Sequence, residues 1–343
     1  MSSGIYQSLE VIGVRHESAD ACSFTFAVPE SMQQDFQYQA GQFLTLKVPH
    51  HEGELLRCYS MCSSPVVDKQ LQIAVKRVVD GRASNWLCDN LAVGSQLEVM
   101  RPAGVFTVKD WSKDLLLFAG GSGITPVFSI LKTALVQGSG KVRLVYANRD
   151  VDSIIFNHEL NALRQRHPER LEVIHLLDAL QGVPSVGLLQ ALCFDYQQAA
   201  AYVCGPGPYM DAVETALHNA GVNKDDIHIE RFISLSSAPK AVEPSISTNE
   251  NESDIIVDID LYGNQHTISC TDGETVLNAA RRQGIELPFS CEVGMCASCM
   301  CEIKEGNVDL LENEVLSERD LEQKLTLSCQ AVPTSKQVKL RFT

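Results

Sequence analysis

The chain has 343 residues and carries 28 Lys and Arg against 43 Asp and Glu, a formal net charge of −15. That excess of acid argues against nucleic-acid binding, which needs a basic surface, and the 45% apolar and 21% charged content is that of a globular protein rather than a fibrous or disordered one. The N-terminus has no basic stretch leading into an apolar core, and runs such as Leu115–Ala119 fall far short of the ~20 residues a bilayer-spanning helix needs, so the expectation is a cytoplasmic protein without membrane insertion.

Residues 1–108 read as all-β. Short runs at Leu9–Arg15, Cys22–Val28, Gln42–Val48, Leu71–Val78 and Gln96–Met100 alternate or are β-branched, with Gly and Pro between them, which suggests a small antiparallel β-barrel; one helix is expected near Ser84. Within this unit Arg57, Tyr59 and Ser60 end an inferred strand and offer a cation, an aromatic ring and a small hydroxyl, the three chemistries a flavin needs. Val75 and Lys76 follow, then Gly81, Ala83 and Ser84, small residues with free N–H groups at a helix start, which suit an anion.

Residues 109–233 alternate strand and helix, the pattern of a parallel-sheet α/β domain. The loop Gly120–Pro126 follows a strand and opens a helix: Gly121 and Gly123 let a pyrophosphate approach the backbone, and Thr125 and Pro126 fit the first turn, where the missing N–H of Pro costs nothing. After the second strand come Arg149, Asp150 and Asp152. An acid there suits the ribose of NADH and an Arg the phosphate of NADPH, so both remain open. Cys204 and Gly205 follow the fourth strand, and Glu230 and Phe232 end the fifth.

Residues 234–253 are rich in Ser, Pro, Asn and Glu without apolar periodicity and read as a linker. The last unit, 254–343, is small and holds six of the twelve cysteines, five of them from Cys291 to Cys329. Four of them, Cys291, Cys296, Cys299 and Cys329, follow the C-x4-C-x2-C…C spacing of a plant-type 2Fe–2S ligand set. A zinc site, usually built from two short C-x2-C units, fits less well. Cys301 is surplus to that set. The unit has fifteen acidic and eight basic residues, and its acidic surface suits a basic partner.

The segment PFSCEVGMCASCMCEIKEG with LSCQAVP resembles a plant-type ferredoxin, which implies a β-grasp fold. Ala297 stands where many ferredoxins have Gly, a change of little consequence unless its φ is positive. RCYS, VKR, GRASNW, GGSGITP and CGPGPYM together resemble the ferredoxin–NADP reductase superfamily. The order of all three units resembles the reductase components of the 3-ketosteroid 9α-hydroxylase and phenylacetyl-CoA epoxygenase families. The resemblance implies FAD, NADH in preference to NADPH, a 2Fe–2S cluster, and a separate terminal oxygenase of Rieske type as electron acceptor. It places Cys204 beside the nicotinamide, and Glu230 and Phe232 near the flavin edge; with Ser60 near the flavin N5, Cys204 and Glu230 are the candidate catalytic residues. Two other readings stand beside this one, the reductase of a diiron epoxidase or desaturase and a redox-sensing regulatory protein.

Overall fold

The computed structural model describes residues 5–51, 53–232 and 255–342, which form two compact units, one of residues 6–232 and one containing residues 255–342. The expected linker, 234–253, lies outside the described residues. Among those residues no helix is long and apolar enough to cross a membrane.

The first unit begins with strands β1 (Tyr6–Ser18), β2 (Ala21–Ala27), β3 (Phe43–His50), β4 (Gly53–Ser60) and β5 (Leu71–Lys76), helix α1 (Arg82–Asn90) and strand β6 (Gln96–Met100). The strands pair in the order β4-β3-β6-β1-β2-β5, each antiparallel to its neighbours. An antiparallel bridge between Met61, just past β4, and Ile73 of β5 brings the two edges together, so the sheet curls into a barrel. Inward-facing Leu9, Val11, Phe24, Phe26, Leu44, Leu46, Ile73 and Val99 fill it, as the period of two in these strands requires. The helix begins at Arg82, two residues before the expected Ser84, because Gly81 caps it in an extended conformation.

The chain then enters β7 (Leu115–Gly120), α2 (Ile124–Gln137), β8 (Val142–Asn148), α3 (Asn157–Arg166), β9 (Leu171–Leu177), α4 (Asp178–Gln181), α5 (Val186–Ala191), β10 (Ala200–Cys204), α6 (Gly207–Asn219) and β11 (Ile227–Glu230). The strands form one sheet in the order β11-β10-β7-β8-β9, and every pairing is parallel. All residues of β7 and β10 are buried, as expected of central strands covered on both faces. The strand order reverses between β7 and β10, and ligands of such sheets sit at the carboxyl ends of the strands at that point.

Barrel and parallel sheet share a core. Ala21, Ala40, Cys62 and Ala74 of the barrel pack in one cluster with Phe106, Ile124, Val127 and Ile130. Two buried polar contacts fix the register: Ser129 Oγ donates to Ser63 O at 2.5 Å, and the hydroxyls of Ser64 and Thr133 lie 2.8 Å apart. The Lys132–Asp68 and Arg15–Glu159 ion pairs flank them.

The second unit contains β12 (Ile255–Leu261), β13 (Asn264–Cys270), α7 (Val276–Arg282), β14 (Met300–Glu305), β15 (Val308–Leu310), α8 (Glu318–Glu322), β16 (Leu325–Leu327), β17 (Ala331–Pro333) and β18 (Gln337–Phe342). Its sheet order is β13-β12-β18-β14-β16, with β12 parallel to β18 so that Val257, Ile259 and Leu261 stand opposite Val338, Leu340 and Phe342. These residues are buried and alternate with Asp258, Asp260, Lys339 and Arg341, which face outward. Helix α7, capped by the Thr275 hydroxyl, buries Val276, Leu277, Ala279 and Ala280. A sheet with its first and last strands side by side and one helix across it is the expected β-grasp.

The buried hydroxyl pair at the barrel–sheet junction gives a direct test. Thr133→Val leaves the Ser64 hydroxyl without its partner in a site closed to water, at a cost of about 1–3 kcal/mol. The thermal transition of the unit 6–232 should fall by several degrees while the visible spectrum of the cluster unit is unchanged; an unaltered transition would show that the junction does not depend on this contact.

Candidate functional site

The flavin candidates sit on β4, β5 and α1. Arg57, Tyr59 and Ser60 lie opposite Leu46, Leu44 and Phe43 of β3. The Arg57 guanidinium is half-buried and its pKa is lowered, first by burial and further by the charge of nearby Arg82. Such a pair of cations at the head of a helix suits a diphosphate. Tyr59 packs on the barrel core, and burial raises its pKa. The Ser60 hydroxyl is buried without a hydrogen-bond partner, an orphaned polar atom of the kind a bound ring nitrogen satisfies. Val75 and Ala83 are buried. The Ser84 hydroxyl accepts the Val78 N–H at 3.1 Å and so closes the loop before α1. A side chain at Gly81 would meet Ser84 Oγ at 2.5 Å and Val78 O at 2.9 Å, so only glycine fits this tight turn.

Lys76 does something the sequence did not reveal. It ends β5 in the barrel, but its Nζ lies 3.7 Å from where a Cβ would stand on Gly121 of the nucleotide loop. Gly121 has φ +52, and its carbonyl accepts the buried Tyr146 hydroxyl at 3.0 Å. Gly123 caps α2, which starts at Ile124, two residues before Pro126; Thr125 Oγ1 donates to Ser122 O at 3.1 Å. The loop lies against the end of β10. A Cβ on Gly123 would meet Cys204 O at 2.2 Å, and one on Gly205 would meet Gly120 Cα at 3.0 Å.

The carboxyl edge of the parallel sheet gathers unsatisfied polar atoms. Both side-chain amide atoms of Asn148, the Tyr209 hydroxyl and Glu230 Oε2 are buried without partners. Cys204 is fully buried and stands opposite Glu230 in the β10–β11 register. Burial, and after it the Glu230 charge, holds the Cys204 thiol well above its ordinary pKa. Burial pushes the Glu230 carboxyl up to about 8. Phe232, two residues on, is 43% exposed. Asn148 was visible in the sequence as a polar residue ending an apolar strand, but nothing there marked it as unpartnered.

The loop after β8 resolves differently from its sequence. The Asp150 carboxylate caps the short turn at Val151–Ser153, accepting the Ser153 N–H at 2.9 Å, and Asp152 is exposed. Arg149 Nη2 donates to Asp20 Oδ2 of the barrel at 2.9 Å.

The four cysteines expected to bind iron converge as two pairs. Cys291 hydrogen-bonds Cys296, and the sulfurs of Cys299 and Cys329 are 3.2 Å apart. Among the described residues no three His, Cys, Asp or Glu side chains gather around one point as the ligands of a single ion would. Two-plus-two thiols suit two irons, and backbone N–H groups supply further support: those of Val293 and Met295 lie 3.5 and 3.4 Å from Cys291 Sγ. Cys301, in β14 opposite Thr326, is buried outside this group, and burial raises its pKa. Ala297 meets the exception stated for it. Its φ is +55, so the methyl is not neutral, and a non-glycine residue there costs roughly 1–2 kcal/mol. Gly294, at φ +75, could not carry a side chain at all, since a Cβ would stand 2.5 Å from Glu312 O.

Three family models match in chain order: an oxidoreductase FAD-binding domain at residues 8–108, an oxidoreductase NAD-binding domain at 117–215, and a 2Fe-2S iron-sulfur cluster binding domain at 259–334. The chain is 45% identical to the ferredoxin reductase component of 3-ketosteroid-9-alpha-monooxygenase from Rhodococcus rhodochrous, over 97% of this chain and 96% of that one. It is 34% identical to a component of the 1,2-phenylacetyl-CoA epoxidase of Escherichia coli K12, over 98% of each. The solved structure of phthalate dioxygenase reductase shares the fold, with a TM-score of 0.61 at 23% identity and 98% of each chain covered. With its flavin, nucleotide and iron–sulfur domains in this order and these relatives along nearly its whole length, the chain belongs to the family of FAD-, NAD- and 2Fe–2S-binding ferredoxin reductase components of oxygenases.

Proposed function

We propose that this chain carries electrons from NADH to the terminal oxygenase of a 3-ketosteroid 9α-hydroxylating system of Rieske type. The observation that carries the reading is the paired arrangement of four thiols downstream, in the same chain, of a sheet edge and barrel that leave Ser60, Asn148 and Glu230 unpartnered. A bound FAD accepts the two electrons of a hydride and releases them singly, which a one-electron 2Fe–2S acceptor requires. The domain limits that follow are 1–108 for FAD, 109–233 for the nucleotide, 234–253 as linker and 254–343 for the cluster. The relative at 34% identity makes the reductase of an epoxidase the second reading. A regulatory sensor would have no use for a hydride site. Twelve free thiols fit a reducing, cytoplasmic setting.

The chain's own residues divide the work. Arg57, the head of α1 and the Gly81–Ser84 turn hold the flavin diphosphate; Tyr59 covers the ring, and Ser60 donates its free hydroxyl to it. Gly121, Gly123, Thr125, Pro126 and Gly205 let the nucleotide backbone approach, while Lys76 lends charge to that loop. Cys204 bounds the nicotinamide without ionising. Glu230 is uncharged at neutral pH, so it can donate a hydrogen bond toward the flavin edge, with Phe232 beyond it. Cys291, Cys296, Cys299 and Cys329 bind the cluster. Glu312 and Glu314 are exposed on a segment whose backbone lies against Gly294 of the cluster loop, the N–H of Glu314 donating to Gly294 O at 3.1 Å, which puts acidic charge where a basic oxygenase would dock.

Serine substitutions separate the roles of the cysteines. Cys329→Ser should abolish the cluster spectrum and the reduction of cytochrome c or of an oxygenase, yet keep NADH-dependent ferricyanide reduction. Cys301→Ser should retain the spectrum. Loss of the cluster in the Cys301 variant, or loss of ferricyanide reduction in the Cys329 variant, would overturn the assignment.

Glu230 gives a pH signature. Its carboxyl is raised from 4.5 to about 8 by burial, so the folded state holds a proton the unfolded chain has lost. The stability this group contributes is present below its ordinary value and is lost as pH rises through about 8. Flavin reduction by NADH should slow over the same interval, because an anion there opposes the arriving negative charge. Glu230→Gln should flatten both dependences; a wild-type profile retained in that variant would remove Glu230 from the reaction.

A further inference from the structure

Gln330 follows the last of the four paired cysteines and is buried, at 7% exposed. Its Nε2 donates to the Glu292 carbonyl at 2.8 Å and lies 3.7 Å from Cys329 Sγ. A primary amide nitrogen has two hydrogens, and these two acceptors use both. The opposite orientation of the amide would set its oxygen against a carbonyl and a sulfur, both acceptors, so the hydrogen-bond chemistry fixes which end points inward. The backbone is pinned as well: the Gln330 N–H donates to Leu327 O at 2.8 Å, and its carbonyl accepts the Leu311 N–H at 3.1 Å. Glu292, which holds the amide's other hydrogen, is left-handed at φ +58 and follows Cys291 directly. Most other donors to the sulfurs are main-chain N–H groups, those of Val293 and Met295 at Cys291 and that of Gly294 at Cys329. The Ser298 hydroxyl lies 3.4 Å from Cys296 Sγ, but a hydroxyl can rotate away. The Gln330 amide cannot, because Glu292 holds it.

We infer that Gln330 is a tuning residue of the iron–sulfur site, its side-chain N–H stabilising negative charge on Cys329 and so raising the one-electron reduction potential of a bound cluster. The inference rests on the proposal that Cys329 is a cluster ligand. One-electron reduction adds a negative charge that the ligand sulfurs share. A hydrogen bond to such a sulfur strengthens with that charge, so the donor favours the reduced state over the oxidised one. Burial enlarges the effect, since water does not compete for the sulfur from that side. The same amide restrains Glu292, which gives a merely structural role its own signature. Loosening the loop would lower cluster content or change its spectrum. Loss of a tuning donor would shift the potential of a cluster that is otherwise intact.

The test uses the full-length protein with flavin and cluster bound. Iron content and the visible spectrum are measured first, then the cluster potential by dye-mediated titration followed by EPR. Gln330→Met keeps the length of the side chain without its donor. It should retain the wild-type iron content and spectrum, yet shift the one-electron equilibrium about tenfold toward the oxidised cluster, a fall of ~59 mV. Gln330→Glu keeps the shape, cannot donate when ionised, and should fall at least as far. The unmodified protein gives an independent reading: glutamine labelled with 15N at the side-chain amide alone should produce a 15N coupling in the pulsed EPR of the reduced cluster. Wild-type potential in a Gln330→Met protein with full iron content overturns the inference. So does absence of the 15N coupling, a result that stands even where the variants fail to assemble a cluster. If Cys329→Ser keeps the cluster spectrum, the ligand assignment fails and the inference falls with it. If Cys329→Ser loses the spectrum while Gln330→Met keeps the wild-type potential, the inference alone fails.

Discussion

Two backbones meet with no side chain between them where the first and fourth strands of the parallel sheet end, and much of the reductase unit follows from that contact. A methyl on Gly123 would stand 2.2 Å from the Cys204 carbonyl, and one on Gly205 would touch Gly120. Because the loops touch directly, Cys204 is fixed in depth relative to the phosphate loop. The parallel register then carries that position to Glu230, its neighbour in β11. Tyr146, buried in the adjacent strand, holds the Gly121 carbonyl and so ties the loop to β8. The placement of Cys204 and Glu230 thus comes from main-chain packing, which leaves less freedom than side-chain contacts do.

The second constraint lies between barrel and sheet. Ser63, Ser64, Ser129 and Thr133 form hydrogen bonds in a junction whose surroundings are alanines and other apolar residues. Small residues let the two bodies approach, and the hydroxyls admit only one register. A hydride must pass from a nucleotide held by one body to a flavin held by the other, so an error of an ångström here would be felt in the rate. The charges at the rim, Asp20 with Lys76 and Arg149, pair across the two bodies and add little to stability.

Legibility from sequence followed the range of the interactions. The cysteine spacing, the glycine loop and the strand alternation are local, and each appears in the structure close to its expected place. Strand ends moved by a few residues because the pairing partner, not propensity, terminates a strand. The helix after the glycine loop starts at Ile124 since Gly121–Gly123 already turn in helical fashion. What could not be read was pairing across distance. Asp20 and Arg149 are far apart in sequence, and the cap that the Asp150 carboxylate forms on the following turn was not legible there. Lys76 looked like part of the flavin motif alone because its reach toward Gly121 depends on how barrel and sheet dock.

The cluster loop shows why spacing was the readable part of that site. Glu292 and Ala297 both take positive φ, at +58 and +55, and Gly294 does so under the Glu312 carbonyl. The turns are needed to point successive thiols and N–H groups inward over a short stretch of chain. Two non-glycine residues in that conformation cost roughly 1–2 kcal/mol each, and ion pairing of Glu292 with Arg281 on α7, at 3.1 Å and exposed, returns little of it. The same conformation at Asp80, Phe156, Asp195, Tyr262 and Lys324, away from this loop, shows that the fold tolerates such strain elsewhere too. An alanine can therefore stand at position 297 in a left-handed conformation while the intervals between the cysteines keep the ferredoxin pattern.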